Sequence, residues 1–589
     1  MGDAPRTRRL LHLLRGSPRM TGGAGVPVEG RDVLRRAITG QWRHTAGGSV
    51  LAAGHQACEA LVPVMVGLVI DRAIATGDAG EVARWIAALA VVFAVLSLSY
   101  RFSFRLAERA SELAAHDLRT ELAGRVLRAR GGAETGRLPG ELVAVATQDA
   151  KRVGAVNVAV ASAISALAGL LAGGVALLRV SVPLGLLVLL GTPPLLLLAH
   201  LLGRPLERRS GDEQERAAHA SGVAADLIAG LRVLKGIGAE AAAVGRYRRT
   251  SRDSLAATLR AARAQAWHDG GMLILTGVFI AVVALVGGRL AAQGEISVGQ
   301  LVAAVGLAQF LLSPLSILSW ANGELAQGRA SAARVASVLA APPAVTGGDG
   351  TLPQDVRGRI RLREVTHDAL RGLSLDVAPG ELVGVVTADP AVAASLLRVL
   401  NRTADPSSGV VELDGVPLSG LDPAEVRRAV VVAEHDADLF EGTLLGNVTA
   451  AVPPDAAPDT VEAAMAAAAA DEIARVLPHG AATALTERGR SLSGGQRQRV
   501  ALARALATGA PVLVLHDPTT AVDAVTEARI ADGIRKVRSG RTTIMVVTSP
   551  ALLAAADRVV FVDGGASTAE GTHAELVHGD EAYRTTVLA

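Results

Sequence analysis

The stretch Ser491-Leu492-Ser493-Gly494-Gly495-Gln496-Arg497-Gln498-Arg499 decides how this chain is read. Ser493 supplies a hydroxyl, and two glycines let backbone N–H groups approach an anion closely. The following residues, Val500-Ala501-Leu502-Ala503-Arg504-Ala505-Leu506, read as helix. The hydroxyl and glycines therefore sit at a helix N-terminus, where unpaired amides favour phosphate. A strand-like run, Val512–Leu515, comes next. Outward from there, Leu382–Val386, Val430–Ala433, Thr543–Val547 and Val559–Val562 are further strand candidates, rich in Val, Leu and Ile. They alternate with helical runs at Pro390–Leu400, Pro423–Arg428 and Gly494–Ala507, which argues an α/β domain.

The front of the chain is a different object. Of 589 residues, half are apolar, 20% charged and only 2% aromatic, so the apolar mass is Ala, Leu and Val. A disordered chain is excluded. The single cysteine, Cys58, excludes a disulfide framework and a multi-cysteine zinc site, and reads as a small packing residue. The net charge of +3 is unevenly spread: from Pro342 onward 32 acidic and 22 basic residues give −10, leaving +13 in front. Those front charges lie between apolar runs, not in a stripe. That pattern fits a membrane and speaks against a nucleic-acid partner.

Val153–Leu178, Val180–Gly203, Gly270–Gly288 and Ile296–Gly323 are free of charge, and each exceeds or approaches the ~20 helical residues that cross a bilayer. Val82–Phe104 also spans, with Arg84 and Arg101 near its ends. Thr45–Ile70 is a sixth candidate, interrupted by Glu59. The long connections Arg101–Arg152 and Arg204–Asp269 are polar and helix-prone, and read as extensions of the membrane helices. They carry Arg105, Arg109, Arg119, Arg125, Arg128, Arg208, Arg209, Arg216 and Lys235. The tail adds Arg6, Arg8, Arg9, Arg15, Arg19, Arg31, Arg35 and Arg36. The positive-inside bias therefore places the N-terminus and both long connections in the cytoplasm. Leu10–Leu14 is too short for a signal-peptide core. Gly22–Gly30 reads as a loose linker and Arg31–Ile38 as a short interfacial helix. Pro193, Pro194 and Pro314 predict kinks. Glu59, with His55 and Gln56, is polar in mid-span: either it faces a substrate cavity or proton-linked site, or it faces a partner helix or vestibule. Ala340–Gly350 reads as the linker between the halves.

The Ser491–Arg499 stretch, the helix after it and the strand beyond resemble the ABC transporter family, whose signature is LSGGQ. Six spans followed by one nucleotide-binding domain resemble an exporter half-transporter, and the resemblance covers nearly the whole chain after about Gly30. It implies an all-α six-helix membrane domain (residues 45–339) after a cytoplasmic tail and interfacial helix (1–44). A linker (340–350) then leads to an α/β P-loop-NTPase-like domain (351–589). It also implies a multi-pass protein of the plasma membrane with its nucleotide-binding domain cytoplasmic, and use of ATP and Mg²⁺. The composition, rich in Ala, Gly and Arg and poor in Lys, suggests a high-GC bacterial genome.

The chain departs from that family at most catalytic positions. The phosphate loop G-x-x-x-x-G-K-[ST] aligns with Thr387-Ala388-Asp389-Pro390-Ala391-Val392-Ala393-Ala394. Both glycines are missing, Ala393 stands for the lysine and Ala394 for the Mg²⁺-binding hydroxyl. Asp389 puts negative charge where phosphate belongs, Pro390 has no N–H to donate, and Ser395 is at most a weak remnant. The spacing to Asp523 places His516 at the Mg²⁺ position and Asp517 at the catalytic glutamate, although a one-residue shift would make Asp517 the metal ligand. His435 in Glu434-His435-Asp436 replaces the loop glutamine, Thr548 replaces the switch histidine, and Val365-Thr366-His367-Asp368 lacks the adenine-stacking tyrosine. The resemblance then implies a division of labour. Ser493, Gly494, Gly495 and Gln496 would close the hydrolytic site of a second half-transporter with intact motifs, which would bind most of the ATP and Mg²⁺. Asp523 matches a D-loop aspartate that contacts the partner. Thr486-Glu487-Arg488-Gly489 matches a segment that senses the membrane domain, and coupling helices are implied around Arg137–Val145 and Ser221–Ala229. Two rival functions are an importer of exporter fold, for example for an iron chelate, and a non-transporting membrane regulator. An extra N-terminal cofactor domain would favour the importer, and the intact signature speaks against the regulator.

Overall fold

The structure, a computed structural model, describes residues 29–75, 77–348, 350–435, 438–454 and 456–588. The tail arginines from Arg6 to Arg19, Leu10–Leu14, most of Gly22–Gly30 and Asp436 lie outside the described residues. The chain folds as two compact units: Met1–Leu122 with Val143–Ala340, and Ala123–Leu142 with Ala341–Ala589.

The first unit is helical. The expected interfacial helix is Gly30–Gly40, opened by a reciprocal cap between Glu29 and Asp32. Five helices among the described residues are long and apolar enough to cross a membrane: Ala79–Val126, Pro139–Val180, Val182–Ala229, Glu240–Ala292 and Val298–Leu339. The segment Thr45–Ile70 lies in the 28-residue helix Trp42–Val69, which carries His55, Gln56 and Glu59 in its apolar run and is not among the five. The expected six spans thus stand at five on this measure. The helices run far past their apolar segments, as the polar connections predict. Pro193 and Pro194 lie inside one continuous helix. Around Pro314 the last span instead breaks into Val298–Phe310 and Leu312–Leu339, because proline cannot donate to the carbonyl four residues earlier.

With little water to exclude, helices in such a unit associate through close backbone approach and shared polar groups. A Cβ at Gly67 would press into the Gly299 carbonyl, and one at Gly299 into that of Gly67, so the helices Trp42–Val69 and Val298–Phe310 touch through bare backbone. Beside them, Asp71 accepts the Ser297 hydroxyl and the Gly299 N–H (2.9 Å). Fully buried Asn157 accepts the Thr45 hydroxyl at 2.9 Å and donates to the Ala37 and Gly154 carbonyls. The implied coupling helix near Arg137–Val145 is the short helix Pro139–Ala144. The one placed at Ser221–Ala229 needs correction: those residues continue the long helix, and the short helix is Leu231–Gly236, set off by Gly230.

The second unit carries two principal sheets. Strands β1 (Ile360–His367), β2 (Leu370–Val377), β4 (Ser408–Leu413) and β5 (Val416–Pro417) form an antiparallel sheet in the order β2-β1-β4-β5. The larger sheet uses β3 (Leu382–Val386), β6 (Val430–Ala433), β9 (Val512–His516), β10 (Thr542–Val546), β11 (Arg558–Asp563) and β12 (Ala566–Gly571), in the order β12-β11-β3-β10-β9-β6. All its pairings are parallel except β11 with β12. Strands β3 and β10 are buried at every position, which fits a parallel sheet covered on both faces. A two-residue pair, β7 (Gly442–Thr443) with β8 (Ala484–Leu485), completes the set.

The linker is not a loose tether. Ala344 and Val345 donate to the Arg130 carbonyl, and Arg125 donates to the carbonyls of Gly131 (2.9 Å) and Ala341 (2.6 Å). Gly348 and Gly350 donate to Leu421 and Gly420. Arg402, 1% exposed, donates to the carbonyls of Thr346 (2.5 Å), Ser419 (2.9 Å) and Leu421, and pairs with Asp405 at 3.2 Å. Arg402→Met removes charge-assisted bonds to three carbonyls, one buried and two partly buried, so we expect a loss of about 2–4 kcal/mol. Arg398→Met breaks only an exposed pair with Asp368 and is expected to cost under about 1 kcal/mol. Thermal unfolding of the purified full-length variants measures the contrast.

Candidate functional site

In the large sheet, β3, β10, β9 and β6 are adjacent and parallel, so their C-terminal ends meet along one edge. Ligands of open parallel sheets bind at that edge. The segments leaving it are Thr387–Asp389 after β3, Thr548 after β10, Asp517 after β9 and His435 after β6.

At the phosphate-loop position the helix Pro390–Leu400 already begins with its own anion. The Asp389 carboxylate accepts the N–H of Ala391 at 2.8 Å, and Pro390 follows with no N–H. Only three residues separate strand from helix, and none from 387 to 394 has the positive φ that a wrapped loop uses. Ala393, at the lysine position, is buried. Ser395 departs from its expected role as a remnant ligand. It is 1% exposed, and its hydroxyl donates to the Ala391 carbonyl (2.7 Å) and accepts from Ala369 (3.4 Å), because an intrahelical carbonyl lies within its reach.

Three other predicted positions do come together. The His516 and His435 rings are 6.1 Å apart. His516 Nε2 is 3.8 Å from the Asp517 carboxylate, and His435 Nδ1 is 3.4 Å from the Asp517 carbonyl. Asp517 adopts φ +42, in the left-handed region, while its N–H donates to Val546 on the neighbouring strand. Thr548 leaves the same edge exposed. An imidazole pair beside one short carboxylate is poorly matched to Mg²⁺, which prefers oxygen ligands in octahedral array. With no lysine and a carboxylate at the helix start, the residues of this loop do not fit a Mg²⁺-nucleotide.

The signature helix, Gly494–Ala507, has the opposite character. Ser493 is exposed, and its hydroxyl accepts the Gln496 N–H (3.3 Å) while the Gln496 side chain accepts the Ser493 N–H (2.9 Å). This reciprocal cap is neutral, so the positive end of the helix keeps room for an outside anion. Gly495 lies against the Ala521 carbonyl, where any Cβ would clash. Gln498 joins the helix to the loop after β9, donating to Thr520 (2.7 Å) and accepting from Ala521 (2.9 Å). Glu472 braces the same helix by bridging Arg499 (3.4 Å) and Arg529 (2.7 Å), and the Arg529 guanidinium holds its carboxyl below the usual range. Sequence reasoning missed the bracing roles of both Gln498 and Glu472; only the position of Gln498 inside the signature run pointed to it. Asp523 caps Ala524–Val537 through the Thr526 N–H (3.0 Å), and that bond holds its carboxyl low. The Thr486–Gly489 segment forms a short 3₁₀ turn with Arg488 at φ +55. In the membrane unit, Glu59 stands 3.7 Å from His55.

Residues 47–315 match the family described as the ABC transporter transmembrane region, and residues 370–520 match the ABC transporter family. Over 534 residues the chain is 34% identical to a multidrug efflux ATP-binding/permease protein of Mycobacterium bovis (strain BCG / Pasteur 1173P2), covering 89% of this chain and 44% of that protein. It therefore spans under half the length of that relative. It is 29% identical over 401 residues to an ATP-dependent lipid A-core flippase of Thiobacillus denitrificans (strain ATCC 25259 / T1), covering 67% and 69% of the two chains. Its fold matches a bacterial Atm1-family ABC exporter solved with ATP bound, at a TM-score of 0.71 and 24% identity, over 94% of this chain and 98% of that one. The chain has the build of an ABC exporter half-transporter, a membrane domain fused to a C-terminal nucleotide-binding domain. Domains of this family use ATP and Mg²⁺ in general.

If Asp389 serves its own helix, Asp389→Ala should cost about 1 kcal/mol of stability, and Asp389→Ser, which restores a cap, only a few tenths. Chemical denaturation of the full-length protein compares them.

Proposed function

We propose that this chain is one subunit of a heterodimeric ABC exporter, moving a small molecule, lipid or peptide across a bacterial plasma membrane by ATP-driven alternating access. Its signature, Ser493, Gly494, Gly495 and Gln496, closes on ATP held by the partner's intact loop. Its own site is degenerate and binds nucleotide weakly or not at all. Asp523 meets the partner beside that shared site, and the short helices Pro139–Ala144 and Leu231–Gly236 carry its closure to the membrane domain. The N-terminus and nucleotide-binding domain lie in the cytoplasm, in keeping with the arginine-rich connections.

One observation carries this reading: the two helix N-termini that bind phosphate in this fold have opposite caps. Asp389 closes one with a carboxylate, and Ser493 leaves the other neutral and exposed. A phosphate clamp without its lysine loses its charge-assisted contacts. A homodimer would bring two such loops together and should not hydrolyse ATP. A competent partner would gain one working site.

The test is ATPase activity of this chain purified alone and together with a half-transporter from the same genome that carries intact phosphate-loop motifs. We expect activity only in the mixture, and a loss of at least about 100-fold when Ser493→Arg blocks the signature. Robust activity from this chain alone would sink the division of labour. An inactive mixture that is stably assembled would favour a regulator.

A further inference from the structure

We propose that a groove beside the interfacial helix holds one acidic phospholipid as a resident of the protein, not as cargo. Only the choice of leaflet, the cytoplasmic one, rests on the proposed placement of the N-terminus. The groove and its charges stand without it.

The groove measures about 470 Å³ and lies among three helices. Ile38 comes from the interfacial helix Gly30–Gly40, Trp42, Val50 and Ala53 from Trp42–Val69, and Val160 and Ile164 from Pro139–Val180. Two hydroxyl residues also line it, and both spend their hydrogens inside the protein. Thr45 donates to the Asn157 side chain at 2.9 Å, and Ser49 donates to the Thr45 carbonyl at 2.7 Å. Neither residue is more than 5% exposed. The walls therefore offer carbon and almost nothing else, with Val50 71% and Ile164 43% exposed along the rim. A polar solute would lose its hydrogen bonds to water there without replacement. Hydrocarbon would not.

The charge is gathered at one end. Trp42, 60% exposed, stands where the interfacial helix turns into the first membrane helix, the level at which indole rings meet lipid headgroups. The Arg43 guanidinium is 5.7 Å from the centre of its ring. Arg35 lies one helical turn before Ile38 and is exposed. Among the described residues no carboxylate pairs with Arg35 or Arg43, because the acids of this region are engaged elsewhere. Glu29 pairs with Arg31 (2.8 Å) and Glu121 with Arg36 (3.1 Å). Asp32 accepts the Glu29 N–H (3.1 Å), and Asp117 accepts the Gln41 amide (3.4 Å). An apolar trough ending in two unpaired guanidiniums complements one kind of molecule: an acyl chain carrying a phosphate with net negative charge. A soluble phosphate would leave the trough empty, and a zwitterionic headgroup would bring a second cation to the arginines.

The full-length chain in detergent micelles is titrated with phosphatidylglycerol and with phosphatidylcholine of identical acyl chains, and bound lipid is counted by native mass spectrometry. The wild type should hold one phosphatidylglycerol about tenfold more tightly than phosphatidylcholine. Arg35→Gln combined with Arg43→Gln should abolish that preference, and the corresponding pair of Lys substitutions should keep it within about threefold. Arg179→Gln, an exposed arginine at the far end of Pro139–Val180, should leave it within about twofold, which separates a site from general surface charge. Ala53→Trp, which fills the trough, should weaken both lipids alike. A wild type without the preference overturns the proposal, as does a double Gln variant that keeps it. Equal loss in Arg179→Gln, or no effect of Ala53→Trp, does the same. So does release of the lipid when a partner half-transporter assembles on the chain, since the partner's helices would then own the groove. Micelles have no sides and no nucleotide is present, so the result is independent of membrane orientation and of the ATPase mixture.

Discussion

A helix N-terminus has only a few free amides, and whatever caps them decides what else can bind. That limit separates the two phosphate-facing helices of the nucleotide-binding unit. At Pro390–Leu400 the amides face a carboxylate at hydrogen-bond distance, and the first helical residue is a proline with nothing to donate. A phosphate placed there would meet like charge at contact distance, where repulsion amounts to several kcal/mol even in partly screened surroundings. At Gly494–Ala507 the cap is a neutral serine, satisfied by its own glutamine, and the glycines leave the approach clear. The same amides thus stabilise the fold in one helix and remain available to an outside anion in the other.

The sheet tolerates this divergence because core and edge are physically separate. Strands β3, β9 and β10 are mostly Val, Leu, Ile, Met and Thr, buried almost throughout, and their register is set by packing on both faces. Asp389, His435, Asp517 and Thr548 all lie beyond strand ends, where substitution leaves no cavity. His516 is the exception. It occupies the last position of β9 and is half-buried, so its ring must be accommodated, and His435 lies within ring-contact distance of it.

What the sequence made legible follows the same division. The helices Pro390–Leu400 and Gly494–Ala507 and the strands β3 and β6 coincide to the residue with the runs read from the sequence, and β3, buried at every position, is marked by its apolar composition. Strands β1, β2 and β4 carried no such mark. Each mixes buried with exposed positions, so its local composition is partly polar. Arg361 and Arg363 on β1 pair with Asp376 on β2 and Glu412 on β4. The site was legible as residue types at family spacing. Contacts that bridge distant segments, such as Glu472 to Arg529 or Gln498 to the loop after β9, leave no local trace. The linker misled for a related reason: its Ala, Pro and Gly residues look free, but their backbone groups are taken by Arg125, Arg402 and the Arg130 carbonyl.

Polar groups in the helical unit obey one rule with two outcomes. Asn157 is fully buried, and its carbonyl and amide both have partners. Asp149 is buried and takes Arg334 at 2.8 Å and Ser331 at 2.9 Å. Asp71 takes a hydroxyl and a backbone amide. In each case the desolvation cost is offset inside the protein, and the group reads as a clamp between helices. Glu59 is the more open case: its side chain is partly exposed, and His55 Nε2, one helical turn away, lies 3.7 Å from its carboxylate.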